Sequence, residues 1–226
     1  MSQSIMSNSL LAATLIVAIL DWLAVAKKWK GLEYFAKPGV MLFLLAWLWS
    51  VSGFNGYLAW FAVGLVFSLF GDVFLMLPHE RFIAGLVSFL LAHIAYTIGF
   101  TEAPPPITLI SFIMAIVVGI TSTRIYRNVS NALIASGDRK LKIPVLIYTI
   151  VISVMLFSAL LTLERPEWTM LSSLIVSFGA VLFYLSDAFL AWNKFVQPVR
   201  HGKLIVIISY HLGQILIIIG AVSYYA

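Results

Sequence analysis

Of the chain's 226 residues, 62% are hydrophobic and only 10% are charged, with a mean hydropathy of +1.04; a soluble domain carries about a quarter charged residues, so that class is excluded. The pI near 9.5 does not point to nucleic acid, because the basic residues fall in short loops between apolar runs, where they report membrane topology. Cysteine is absent, which removes disulfides, zinc–thiolate sites and iron–sulfur clusters.

The opening "MSQSIMSNSL" lacks the basic n-region of a signal peptide, so the first apolar run reads as a retained span. Crossing ~30 Å of hydrocarbon takes about 20 helical residues. Eight runs qualify, at 9–26, 38–53, 57–77, 81–100, 105–122, 143–163, 169–192 and 203–224. The expected fold is all-α, a polytopic bundle of eight transmembrane helices. No linker is long enough for a boundary, so residues 1–226 read as a single transmembrane domain. Span two is expected to open at Pro38, where proline suits the first helical turn. "TEAPPP" (Thr101–Pro106) separates spans four and five, and "LERPEW" (Leu163–Trp168) separates six and seven.

The fourteen Lys and Arg residues then sort by side. The first loop holds Lys27, Lys28, Lys30 and Lys37, and the third holds Arg81. The fifth holds Arg124, Arg127, Arg139, Lys140 and Lys142, and the seventh holds Lys194, Arg200 and Lys203. Only Arg165 lies elsewhere. The positive-inside rule puts the odd loops in the cytoplasm and both termini on the non-cytoplasmic side. A weak four-plus-four parallel repeat is also visible. Asp72 precedes "VFL" and Asp187 precedes "AFL"; Lys37-Pro38 and Lys142-Ile143-Pro144 open spans two and six.

Ionisable residues inside the spans carry the functional information, since an aspartate at a helix centre costs roughly 2.5–3.5 kcal/mol on insertion scales. Asp72 and Asp187 each sit in a long apolar stretch, about one to two turns from the cytoplasmic face. A polar cavity between helices is the expected reason. Asp21 and Lys37 lie at similar depth, with Asp21 expected as an interfacial residue paired with a lysine. His93 lies mid-span with Tyr96 three residues on, and counting places it about two turns deeper than the acids. Span eight carries Tyr210, His211 and Gln214; Tyr148 and Tyr184 add hydroxyls. Taken singly, such tyrosines and glutamines are ordinary interhelical contacts. His79 and His201 read as loop residues.

Two chemistries fit two acids and two histidines. Asp72, Asp187, His93 and His211 could ligate zinc, but no HxxxH or HxxE spacing supports it, so the expectation is no metal and no cofactor. The other chemistry is a pair of carboxyl groups with divergent environments, one acid and one base. No G-x-S-x-G elbow supports a serine esterase, and no glycine loop cradles a phosphate.

Five segments together resemble the YhhN family of lysoplasmalogenases. "FSLFGDVFLMLPHERFIAGLVSFLLAHIAY" carries Gly-Asp, Phe-x-x-Gly-Leu and Phe-x-x-x-His-x-x-Tyr. "GAVLFYLSDAFLAWNKF" carries Gly-Ala, Ser-Asp and a closing Lys-Phe. "AKPGVM", "IPVLIYTIVISVMLFSAL" and "SYHLGQILIIIG" resemble the early Lys-Pro segment, the Pro-x-x-x-Tyr helix and the last helix. Gly39 departs from the larger apolar residue expected after Lys-Pro.

The resemblance implies an eight-helix enzyme of a bacterial inner membrane. Its substrate would be a lysophospholipid, a lysoplasmalogen, with membrane lipid around it and no nucleic acid. Cleavage of the vinyl ether would release a fatty aldehyde and glycerophosphoethanolamine or glycerophosphocholine. Lys37, Asp72, His93, Tyr148, Asp187, Tyr210 and Gln214 are the functional positions it carries over, and Tyr96 joins them as a substrate contact. Acid protonates a vinyl ether at its β-carbon, so one neutral aspartic acid and one ionised partner suffice, as in glycoside hydrolysis. Asp72 is taken as the acid and Asp187 as the base, although nothing in the sequence separates the two. Lys37 is expected at the substrate phosphate. The alternative function is a proton-coupled small-solute transporter relaying protons through buried acids, although no span shows the Gly/Pro interruption of a broken transport helix.

Overall fold

A computed structural model of the chain describes residues 2–77, 81–104 and 106–226. His79 therefore lies outside the described residues. Eight helices run as α1 (Ser2–Lys27), α2 (Lys30–Ser52), α3 (Leu58–Met76), α4 (Phe82–Phe100), α5 (Leu109–Ala135), α6 (Lys142–Leu161), α7 (Met170–Ala191) and α8 (Gly202–Tyr225). Each of the eight is long and apolar enough to cross a bilayer, and no strand occurs among the described residues. The protein is a multi-pass helical membrane protein.

Three helix boundaries depart most from expectation, the first being α1, which begins at Ser2 rather than residue 9. α2 begins at Lys30, so Pro38 is its ninth residue rather than its first. Hydropathy missed that opening turn because it carries Lys30, Glu33 and Lys37. Pro144 is the third residue of α6, so the proline correspondence between the halves is out of register. α5 continues to Ala135, well past the expected end at 122. Its last turns are polar on one side, but Ile125, Val129 and Leu133 recur every fourth residue and pack with Val145 and Phe195. Tertiary contact extends the helix beyond its apolar stretch. Thr108 starts α5 with a reciprocal capping box, accepting from the Ser111 amide at 3.0 Å while Ser111 accepts from the Thr108 amide at 2.9 Å.

The burial pattern is that of a protein solvated by lipid. Ile107 is 97% exposed and Phe35 81% exposed, while Asp21, Asp72, His93, His211 and Gln214 are buried. α8 packs against α1, α2, α3 and α7, and α4 packs against α3 and α6. The α7–α8 contact is the closest. A Cβ on Gly179 would lie 2.9 Å from the Gly213 carbonyl oxygen, and one on Gly213 would lie 2.8 Å from the Phe183 amide nitrogen. Without lipid-exclusion forces between helices, such backbone approach supplies the van der Waals contact that holds them. It also sets Phe183 and Asp187 in register with Tyr210 and Gln214.

At the end remote from the basic loops, Trp168 stacks on Tyr224 at 4.1 Å and Tyr57 on Tyr225 at 5.7 Å. That is the aromatic belt expected at a bilayer interface. Arg165, the one basic residue at this end, is buried and donates to the Ala103 carbonyl at 2.8 Å.

Candidate active site

The two aspartates sit in separate hydrogen-bonded networks. Asp72, on α3, is 1% exposed; Lys37 Nζ from α2 lies 3.1 Å from its Oδ1. Tyr210 from α8 donates to Oδ2 at 2.8 Å. One turn along the same two helices, Gln214 donates through Nε2 to Ser68 Oγ at 2.8 Å. Tyr96 on α4 donates to Gln214 Oε1 at 2.6 Å. The four-residue spacing of Ser68 and Asp72 on α3 matches that of Tyr210 and Gln214 on α8, so the rungs form a ladder. Every member except Lys37 is buried.

Asp187, on α7, joins α4 and α6. Tyr148 donates to its Oδ2, and His93 Nε2 lies 3.2 Å from that oxygen and 3.0 Å from the Tyr148 hydroxyl. A carboxylate and a phenol oxygen on one ring nitrogen assign the imidazole proton to Nε2. His93 is thus beside Asp187, not two turns deeper. Counting residues from helix ends ignored the axial offset of α4 against α6 and α7.

Phe183 divides the networks. Its ring centroid lies 4.6 Å from that of His93 and 5.4 Å from that of Tyr210, and Phe89 meets Tyr210 edge-on at 5.7 Å. Phe89 can lie there because α3 has glycine opposite: a Cβ on Gly71 would fall 2.6 Å from its ring. The carboxylates remain within electrostatic reach of each other across this wall.

Access distinguishes them. A cleft of about 60 Å³ between α4, α5, α6 and α7 is lined by apolar side chains such as Leu86, Phe89, Val129 and Ile152, together with Tyr148 and Asp187. Asp187, 10% exposed, is the only carboxyl group among the described residues that line it. Asp72, Tyr96, Tyr210 and Gln214 do not line it.

Lys37 is expected at a phosphate, but its ammonium is paired with Asp72 and 14% exposed. Asp21 is not the interfacial residue expected. It is wholly buried and, among the described residues, forms no ion pair and has no hydrogen-bond partner on either carboxyl oxygen; Lys37 and Asp72 lie within electrostatic reach. His211, also buried, accepts from Trp22 Nε1 through Nδ1 at 3.1 Å. Among the described residues no three His, Asp or Glu side chains converge as metal ligands. Sequence reasoning missed Ser68, Phe183 and Trp22. Ser68 alone left a signal, lying one turn before Asp72.

Fold and site together define a polytopic helical membrane protein that buries two hydrogen-bonded aspartates and opens one to an apolar cleft. The chain belongs to the YhhN family, whose model matches residues 32–221. It is 28% identical to the human (Homo sapiens) protein named lysoplasmalogenase TMEM86B over 183 residues, covering 80% of this chain and 71% of that protein. The Sus scrofa lysoplasmalogenase TMEM86B is 31% identical over 180 residues, 78% and 70% of the two chains. An uncharacterized membrane protein YhhN of Escherichia coli is 32% identical over 89 residues, 38% of this chain and 43% of that one. No solved structure matches.

Proposed function

We propose that this protein is a lysoplasmalogenase: it hydrolyses the vinyl ether bond of lysoplasmalogens to a fatty aldehyde and glycerophosphoethanolamine or glycerophosphocholine. The observation that carries the reading is a single carboxyl group, Asp187, facing an apolar cleft while Tyr148 and His93 hold its Oδ2. The similarity to proteins named lysoplasmalogenase supports it.

In this mechanism Asp187 enters as the neutral acid and transfers its proton to the β-carbon of the vinyl ether. The double-bond electrons form the new C–H bond, leaving an oxocarbenium ion. The Asp187 carboxylate then stabilises that cation and takes a proton from the water that adds to it. The resulting hemiacetal then collapses: Asp187 returns its proton to the glycerol oxygen as the C–O bond breaks, the hemiacetal hydroxyl gives up its proton to the carboxylate, and aldehyde and glycerol hydroxyl separate. This assigns the acid to Asp187 rather than Asp72, because Asp72 is walled off by Phe89 and Phe183 and paired with Lys37. Asp72 acts from behind that wall, as the counter-charge that fixes α2, α3 and α8.

The test is aldehyde release by purified protein in detergent, with a lysoplasmalogen beside its ester-linked analogue. Aldehyde is expected from the vinyl ether, with no hydrolysis of the ester and no change on adding EDTA. Detergent has no compartments, so turnover also separates the reading from transport. Absence of aldehyde would remove the hydrolase assignment, and loss of activity with EDTA would remove the metal-free mechanism.

The charge asymmetry supports a bacterial inner-membrane orientation with both termini outside the cytoplasm. Single cysteines introduced in the tails are expected to react with an impermeant maleimide in intact cells, while cysteines beside Lys28 or Arg139 are protected. The opposite labelling would invert the bundle and move the Asp187 cleft to the outer leaflet.

A further inference from the structure

The cleft at Asp187 offers about 60 Å³ of free space, well short of the roughly 150 Å³ of a cavity that takes up one benzene, so it does not hold a lipid chain by itself. It does not end at its own walls. Tyr126 and Thr149 also line a second hollow of about 450 Å³ between α5 and α6, open on the side that faces lipid. Tyr184 lines the cleft, and its hydroxyl meets Ser122 at 2.8 Å; Ser122 in turn meets Ser153 at 2.7 Å. Both serines line the second hollow.

The hollow extends from Tyr126 to Ala115 on α5 and from Leu146 to Phe157 on α6. At ~1.5 Å per residue each stretch is about 16 Å of helix. Both stretches lead from the Asp187 cleft away from the basic ends of their helices. Gly119 lies in the wall. A Cβ there meets nothing within 4 Å, so this glycine serves no close helix contact, unlike Gly179 and Gly213. A mid-helix glycine is unfavourable by itself; here its effect is to leave space.

We propose that the groove between α5 and α6 receives the hydrocarbon chain of the substrate lipid, and that Gly119 sets the chain length admitted. This rests on the hydrolase reading. The reacting end of the chain lies at Asp187, and the rest follows the groove towards the bilayer centre. Groove and cleft share two walls and a hydroxyl string, which ties this hollow to the reacting carboxyl group.

The absence of native cysteine allows a test in which folding precedes the perturbation. Gly119→Cys is purified, then modified with alkyl methanethiosulfonates of increasing length, and assayed on short-chain and long-chain alkenyl lysophospholipids. Cleavage of the long chain is expected to fall about tenfold relative to the short one, more with longer reagents, and to recover on reduction. Val154→Cys, on the α6 wall, should behave alike. Val117→Cys is 58% exposed and about 200° around α5 from Gly119, so its modification should leave the ratio unchanged. An unchanged ratio at Gly119, equal loss for both chains, or the same shift from Val117 would overturn the proposal, a bilayer lipid then being the occupant. If unmodified Gly119→Cys and the native chain cleave neither substrate, the hydrolase reading fails and takes this inference with it.

Discussion

Asp187→Asn is expected to lower vinyl ether cleavage by about 10²–10⁴-fold, the usual contribution of a general acid–base group. The replacement is isosteric and its amide oxygen still accepts from Tyr148, so the protein should purify in normal yield and with an unchanged melting temperature. Only the transferable proton is gone. The loss should appear in kcat rather than KM, because the groove between α5 and α6 proposed for the chain is untouched. An Asp187→Asn protein that turns over at near the native rate would remove this residue from the mechanism. It would also return attention to Asp72.

Lys37→Met should act on stability instead. It leaves the Asp72 carboxylate buried with Tyr210 as its only remaining partner among the described residues, and breaking one side of a buried ion pair costs about 3–5 kcal/mol. Replacing both partners together, as Lys37→Met with Asp72→Leu, should recover much of that loss, since no unpaired charge then remains. The measurement is a double-mutant cycle on thermal unfolding in detergent. Additive losses in the double variant would show that the pair is not the connection holding α2 to α3.

Much of the molecule was legible because the bilayer imposes a length. α1, α3, α4, α6, α7 and α8 could be placed from apolar runs alone, and Asp72 and Asp187 stood out because hydrocarbon tolerates such residues only with a reason. The errors fall where packing, not transfer energy, decides. The first turns of α2 are charged, and the last turns of α5 are held by Ile125, Val129 and Leu133 against neighbouring elements. Both were invisible to a hydropathy threshold. Within the site, the partners of the acids depend on axial offsets between helices, which no count along one helix supplies. His93 was therefore placed too deep, Asp21 was expected at the interface with a lysine partner rather than buried, and Phe183 was not seen as the wall between the acids.

The hydrogen bond from Trp22 to His211 joins side chains 189 residues apart, and Tyr210 beside it completes the Asp72 network. During synthesis α2 and α3 enter the membrane long before α8 exists. Lys37 and Asp72 are therefore both in place while Tyr210, Gln214 and His211 are still untranslated. The ion pair draws only on α2 and α3, whereas the rest of the polar interior needs α8 packed against α1, α3 and α7. A chain lacking α8 would keep the residues of the Lys37–Asp72 pair but none of the partners that Tyr210, Gln214 and His211 supply.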